Sequence, residues 1–99
     1  MIKVIIERKV KKGEDISQLL RELRATAIHE PGYVTGETLV SANNKSDIIV
    51  VSTWQNLDLW KAWETSEARA KLYRRIEPLL AEKPKVRVYE ILATESKPA

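Results

Sequence analysis

The spacing of apolar and polar positions changes period several times along this chain, and each change marks an element. Between Ile2 and Val10 β-branched side chains dominate, and Ile2, Val4, Ile6 and Val10 share one face at the two-residue period of a strand. Lys11-Lys12-Gly13 ends that strand. Beyond it Ile16, Leu19, Leu20, Leu23 and Ala27 recur at three- and four-residue spacing, which predicts a helix from Glu14 with one apolar stripe. Glu14 and Asp15 suit the positive N-terminal end of that helix, and Pro31-Gly32 marks its exit. Tyr33 to Ser41 and Asp47 to Gln55 read as two strands, joined as an antiparallel hairpin by the turn-forming run Ala42-Asn43-Asn44-Lys45-Ser46.

The later of these strands carries Ile48-Ile49-Val50-Val51 without alternation, so both of its faces are expected to be buried. Helices of so short a chain can cover only one face, and a second subunit packed sheet against sheet would cover the other. After Trp54 the period returns to that of a helix. Asn56 is its predicted cap, Asp58 lies in its first turn, and Leu57, Trp60 and Trp63 are its inner side. Thr65-Ser66 breaks the helix and supplies a fresh cap, after which Ala68, Leu72, Ile76 and Leu79 form another stripe that Pro78 kinks or ends. The last strand spans Lys85 to Leu92. The order strand, helix, strand, strand, broken helix, strand is the ferredoxin-like βαββαβ arrangement, an α+β fold with helices on one side of an antiparallel sheet. One domain accounts for residues 1–99, with a core over about 2–93 and a tail, 94–99, expected to be disordered in a monomer.

Composition narrows the function classes. A chain of 99 residues with 43% hydrophobic side chains buries a modest share of its surface alone, which favours pairing with a partner. Seventeen basic and 14 acidic residues give a formal charge of +3, with short basic clusters at Lys9 to Lys12 and Arg74-Arg75 that read as solvated surface. No basic helix face is interleaved with aromatics, so nucleic acid is not an expected partner. The absence of cysteine removes disulfides, thiolate nucleophiles and sulfur-ligated metal. Strand-like residues begin at Ile2 without a charged, apolar leader, and no apolar run approaches the roughly 20 residues that span a bilayer, so no membrane association and a cytoplasmic location are expected.

Two features bear on chemistry. His29, the single histidine, stands at the end of the first helix, where it either interacts with the exposed helix carbonyls or serves as an acid or base near neutral pH. One histidine cannot build a multi-histidine metal site, and no metal is expected. The three tryptophans, Trp54, Trp60 and Trp63, lie close together in a chain without phenylalanine. They either fill core volume under a short sheet or wall a pocket between helices and sheet. Gly36, inside a strand pattern, marks a bulge or a close backbone approach.

Four segments in order resemble the antibiotic biosynthesis monooxygenase domain, a dimeric α+β barrel. They are His29-Glu30-Pro31-Gly32-Tyr33, Ser52-Thr53-Trp54, Trp60-Lys61-Ala62-Trp63 and Ile76-Glu77-Pro78-Leu79-Leu80, and the likeness extends over roughly residues 2–93. The resemblance implies a homodimer and two kinds of activity. One is cofactor-free oxygenation of a small aromatic molecule, which must be held, ionised and shielded from water while it meets dioxygen. On that reading His29, Trp63 and Tyr73 are the candidate catalytic residues, and Tyr33, Trp54 and Trp60 bind the substrate. The other is heme degradation, for which Trp63 matches the tryptophan of that branch, whereas Tyr73 stands where its axial histidine falls and Ile6 or Glu7 where its asparagine falls. Ligation by Tyr73 would need a nearby cation, from Arg69, Arg74 or Arg75. The alternative to both is a non-catalytic dimeric domain of the same fold that binds a small ligand or supports an assembly. A pocket polar at one end that holds a bound molecule points to the oxygenase, and one filled by its own tryptophans to the non-catalytic domain.

Overall fold

Strand alternation and three helices, two of them with side-chain caps, account for the architecture. The computed structural model describes residues 1–99. Its elements are β1 (Ile2–Lys9), α1 (Ser17–Ala27), β2 (Tyr33–Val40), β3 (Asp47–Trp54), α2 (Leu57–Glu64), α3 (Glu67–Ile76), a 3-10 turn over Glu77–Leu79, and β4 (Lys85–Glu90). The four strands form one sheet in the order β2-β3-β1-β4 with every neighbour antiparallel, which is the ferredoxin-like topology. No helix is long and apolar enough to cross a membrane.

Pairing fixes which side chains share a face. Ile2, Val4, Ile6 and Arg8 of β1 stand opposite Trp54, Ser52, Val50 and Ile48 of β3, and this face lies under the helices. The core has two parts: Ile2, Val4, Ile6, Ala27, Trp54, Trp60 and Trp63 at one end, and Val10, Ile16, Leu20, Ile76 and Leu80 at the other. Leu23 of α1 packs against both. Ile5, Ile49 and Val51 alternate onto the opposite face, where Leu39 and Tyr89 are 46% and 53% exposed. The unbroken apolar run of β3 thus has one side against the helices and one side that no element of this chain covers.

Caps set the helix limits. Asn56 Oδ1 accepts from the Leu59 N–H at 2.9 Å, as its position before Leu57 predicts. Ser66 Oγ accepts from the Arg69 N–H at 3.2 Å and donates to the Trp63 carbonyl at 2.7 Å, so one hydroxyl starts α3 and holds it to the end of α2. Helix α1 begins at Ser17, three residues later than the apolar stripe suggests. Asp15 Oδ1 accepts from both the N–H and the hydroxyl of Ser17, and these bonds hold its carboxyl below its ordinary pKa. Leu57 and Ala68, expected on inner faces, are exposed at the first turns of their helices. Strands β2, β3 and β4 stop at Val40, Trp54 and Glu90, and residues 91–99 have no regular structure.

The turn from α1 into β2 depends on Gly32. Its φ is +88°, and a Cβ there would lie 2.6 Å from the Leu59 side chain, so conformation and space both call for glycine. The bulge expected near Gly36 falls between Tyr33 and Thr35, where the pairing with β3 shifts by one residue.

Candidate functional site

The bulge in β2 turns Tyr33 toward the helices and into contact with the tryptophans. Its ring meets Trp54 edge to face at 5.4 Å and 86°, and Trp54 meets Trp60 at 5.7 Å and 64°. Trp54 Nε1, fully buried, donates to Ser52 Oγ at 3.1 Å, which satisfies the one polar atom of the ring. These side chains and Trp63 wall a cavity of about 40 Å³ between the sheet and the helices. Trp54, Trp60 and Trp63 are all buried, so they fill core volume and still leave a small space between them.

The far side of that space is cationic. Arg8, between Ile6 and Val10 on the buried face of β1, is 1% exposed, and its Nε, Nη1 and Nη2 are buried without a hydrogen-bond partner. Burial lowers its pKa to about 10, the charge of Arg69 adds to the effect, and Tyr73 opposes it. The guanidinium is therefore charged at neutral pH. Arg69 of α3 also lines the cavity, and its guanidinium carbon lies 5.7 Å from the Trp60 ring centre and 5.8 Å from that of Tyr73. Its pKa is lowered by burial, with Glu64 and Tyr73 acting the other way. Arg24 completes the cationic lining from α1, donating to Thr38 Oγ1 at 2.7 Å. Glu37 borders the cavity as well, but it pairs with Val51, and strand alternation sends its side chain to the opposite face. The lining consequently has three guanidinium groups and no inward-facing carboxylate.

Leu20 and Arg24 are shared with an adjoining open groove of about 550 Å³, lined further by Ile16, Thr38, Val40 and Ile48.

Of the residues singled out in the sequence, Tyr33, Trp54, Trp60 and Trp63 come together around the cavity. Tyr73 does not line it; Arg69, which does, lies over the Tyr73 ring. His29 is exposed past the end of α1 and lies outside the lining. Among the cations considered as partners of Tyr73, Arg69 is the one against its ring, whereas Arg74 pairs with Glu67 at 2.8 Å and Arg75 with Glu22 at 3.3 Å. No group of three or more histidine, aspartate or glutamate side chains is placed to hold a metal ion. Arg8 is the residue that the sequence reading passed over. Its signal was visible as a charged residue in the one remaining slot of the Ile2, Val4, Ile6, Val10 stripe.

The profile of the family described as antibiotic biosynthesis monooxygenase matches residues 1–75. No curated protein matches the chain. Among solved structures, a Nitrosomonas europaea protein carrying the antibiotic biosynthesis monooxygenase name superposes with a TM-score of 0.86 at 20% identity, covering 94% of this chain and 100% of that one. Rv0793 from Mycobacterium tuberculosis superposes with a TM-score of 0.84 at 15% identity over 96% and 98% of the two chains. SnoaB, a cofactor-independent oxygenase from Streptomyces nogalater seen in a mutant form, gives 0.79 at 11% identity over 97% of each. At these identities the likeness is one of fold.

Proposed function

The chain belongs to the antibiotic biosynthesis monooxygenase family, and from that premise we propose that it is a cofactor-independent monooxygenase of a small aromatic substrate. The observation that carries this reading is the cavity itself: aromatic walls from Tyr33, Trp54, Trp60 and Trp63 and a cationic far side from Arg8 and Arg69. Flat apolar walls suit an aromatic ring, and the cations favour its ionised, electron-rich form over the neutral one. The three tryptophans are buried in the core and also line the cavity, whose charged end supports the oxygenase reading.

The cavity of about 40 Å³ admits a few atoms, whereas small-molecule sites usually span roughly 300–1,000 Å³. A ring between the tryptophans therefore requires the cavity to widen, and Arg24, which lines both this cavity and the groove of about 550 Å³, is a side chain whose release from Thr38 would give it room. The polar end of a ligand then meets Arg8, and its ring lies against the tryptophans. Neither an imidazole nor an inward-facing carboxylate lines the cavity, so the substrate's acidity and the surrounding positive charge set its ionisation. In the net reaction the substrate is its own reductant. A ring CH₂ becomes C=O, one atom of dioxygen is retained on carbon, and the other leaves as water with the two hydrogens.

Heme fits this site poorly. Axial ligation requires a tyrosine or histidine side chain in the cavity, yet Tyr73 and His29 lie outside the lining and the Tyr33 hydroxyl lies against Gly36. We assign Tyr73 a positioning role instead, as the ring beneath Arg69.

Homodimer formation belongs to the same proposal. Ile5, Leu39, Ile49, Val51 and Tyr89 share the sheet face that no helix covers, and a second copy presenting the same face would bury them.

Dioxygen uptake tests the reading. Protein treated with chelator is supplied with hydroxylated aromatics of one to three rings, and hemin is titrated in parallel. Uptake with one of these compounds, undiminished by the chelator, is the expected result. Uptake that requires added iron, or saturable hemin binding followed by loss of its Soret band under reductant with catalase present, would contradict it.

A further inference from the structure

Arg8 makes a more specific demand on the substrate than the aromatic walls do. A guanidinium is rarely buried without a partner, because removing its charge from water is costly unless an acceptor replaces the solvent. Here all three nitrogens are buried, none has a hydrogen bond, and the residue lines the cavity. The groups around it offer no carboxylate, and Tyr73, whose phenol offsets part of the effect of burial, makes no hydrogen bond to it. Arg69 and Arg24 are cations, Ser52 accepts from Trp54, Glu37 points to the other face of the sheet, and Glu64 acts on Arg69 from outside the lining. The three pairs seen elsewhere, Arg74 with Glu67, Arg75 with Glu22 and Arg87 with Glu7, do not include Arg8.

We propose that the ligand supplies the missing acceptor as a carboxylate, so that this site takes an aromatic acid whose carboxylate lies on the Arg8 guanidinium while its ring rests against Trp54, Trp60 and Trp63. This inference rests on the aromatic-oxygenase reading and narrows it to a substrate class. Three considerations favour a carboxylate over an ionised ring hydroxyl. The guanidinium presents two parallel N–H groups that match the two oxygens of a carboxylate. A carboxylic acid is fully ionised at neutral pH before it binds, while an ordinary phenol gives up its proton only under the influence of the site. The cavity as it stands has room for a three-atom head group beside Arg8, and a ring enters between the tryptophans only when the cavity widens. The reacting carbon then lies on the ring, which must itself carry the CH₂, or the phenol that is its tautomer, that dioxygen oxidises, and the carboxylate is unchanged by the reaction.

Calorimetric titration of the purified protein with 2-naphthoate, naphthalene-2-carboxamide and 2-naphthol at pH 7 tests this. The three share one ring system, and only the first carries a full negative charge at that pH. We expect 2-naphthoate to bind at least tenfold more tightly than the other two, and Arg8→Met to erase that preference while carboxamide binding persists. Circular dichroism of Arg8→Met establishes that the variant is folded, and Arg8→Lys should retain part of the preference because it keeps the charge without the fork. Equal binding of acid and amide by the native protein, tighter binding of 2-naphthol, or a preference that survives in Arg8→Met would overturn the carboxylate assignment while leaving the aromatic pocket intact. Failure of all three compounds to bind would overturn the aromatic reading as well.

Discussion

The Tyr33 hydroxyl lies directly over Gly36, so closely that a Cβ at position 36 would stand 2.5 Å from it. This contact holds one wall of the cavity, because Tyr33 is pinned on its other side by the edge of Trp54 at 5.4 Å. Gly36→Ala should push the Tyr33 ring off the strand and into Trp54. Overpacking of this kind costs about 1–3 kcal/mol, so the urea midpoint should fall without a change of slope. An unchanged midpoint would show that the Tyr33 ring moves aside freely.

Arg8→Met should act in the opposite direction. An unpaired guanidinium in the core opposes folding, and a methionine of similar length fills the same space without that cost, for a gain of about 1–3 kcal/mol. The pH dependence follows from its pKa, lowered by burial to about 10 from the higher ordinary arginine value. Between those values the unfolded chain holds more protons than the folded one, so stability rises with pH there, and the full cost applies at lower pH. The difference between Arg8→Met and the native protein should therefore be constant over about pH 5–9. Urea titrations across that range check it. A less stable Arg8→Met would mean that the guanidinium has a partner in the folded protein.

Asp15 gives a dependence at the acid end. Its carboxyl is held below its ordinary pKa by the hydroxyl and then the N–H of Ser17, so the folded state favours the ionised form. The contribution is present above the unfolded pKa and is lost as pH falls through the lowered folded value. Asp15→Ala should melt at a lower temperature than the native protein at pH 7, and the gap should close by about pH 2. A gap that persists in acid would mean that the aspartate acts without its charge.

Ile49 and Val51 both stand on the sheet face away from the helices. Ile49→Asp or Val51→Asp should yield monomers or aggregate, since either places an unpaired carboxylate in the proposed subunit interface. Asn43→Arg, in the exposed hairpin turn, should change nothing. Light scattering reads the outcome, and an unaltered dimer in both aspartate variants would rule out pairing through this face.

Periodicity made most of the architecture legible. The caps at Asn56 and Ser66, the break between α2 and α3 and the bulge before Gly36 each follow from short-range rules that depend on a few neighbouring residues. The start of α1 did not, because Asp15 bonds to Ser17 and takes the residues before it out of the helix. Around the site, sequence spacing brought the tryptophans and Tyr33 to notice but gave no account of what they face. His29 drew attention by residue type, whereas the fold leaves it exposed outside the cavity. Arg8 lay within the apolar stripe of β1, and its meaning appears only once β3 and the helices have closed over it without supplying an acceptor.

The source of the oxygen atom in the product tests the central claim most directly. Heme-free, chelator-treated protein is supplied with an aromatic substrate under ¹⁸O₂, and product and water are analysed by mass. One labelled atom per product molecule and one in water, matched to dioxygen consumed, is the predicted result. Incorporation from solvent water, both labelled atoms in the product, or turnover that returns only with added iron or heme would contradict it.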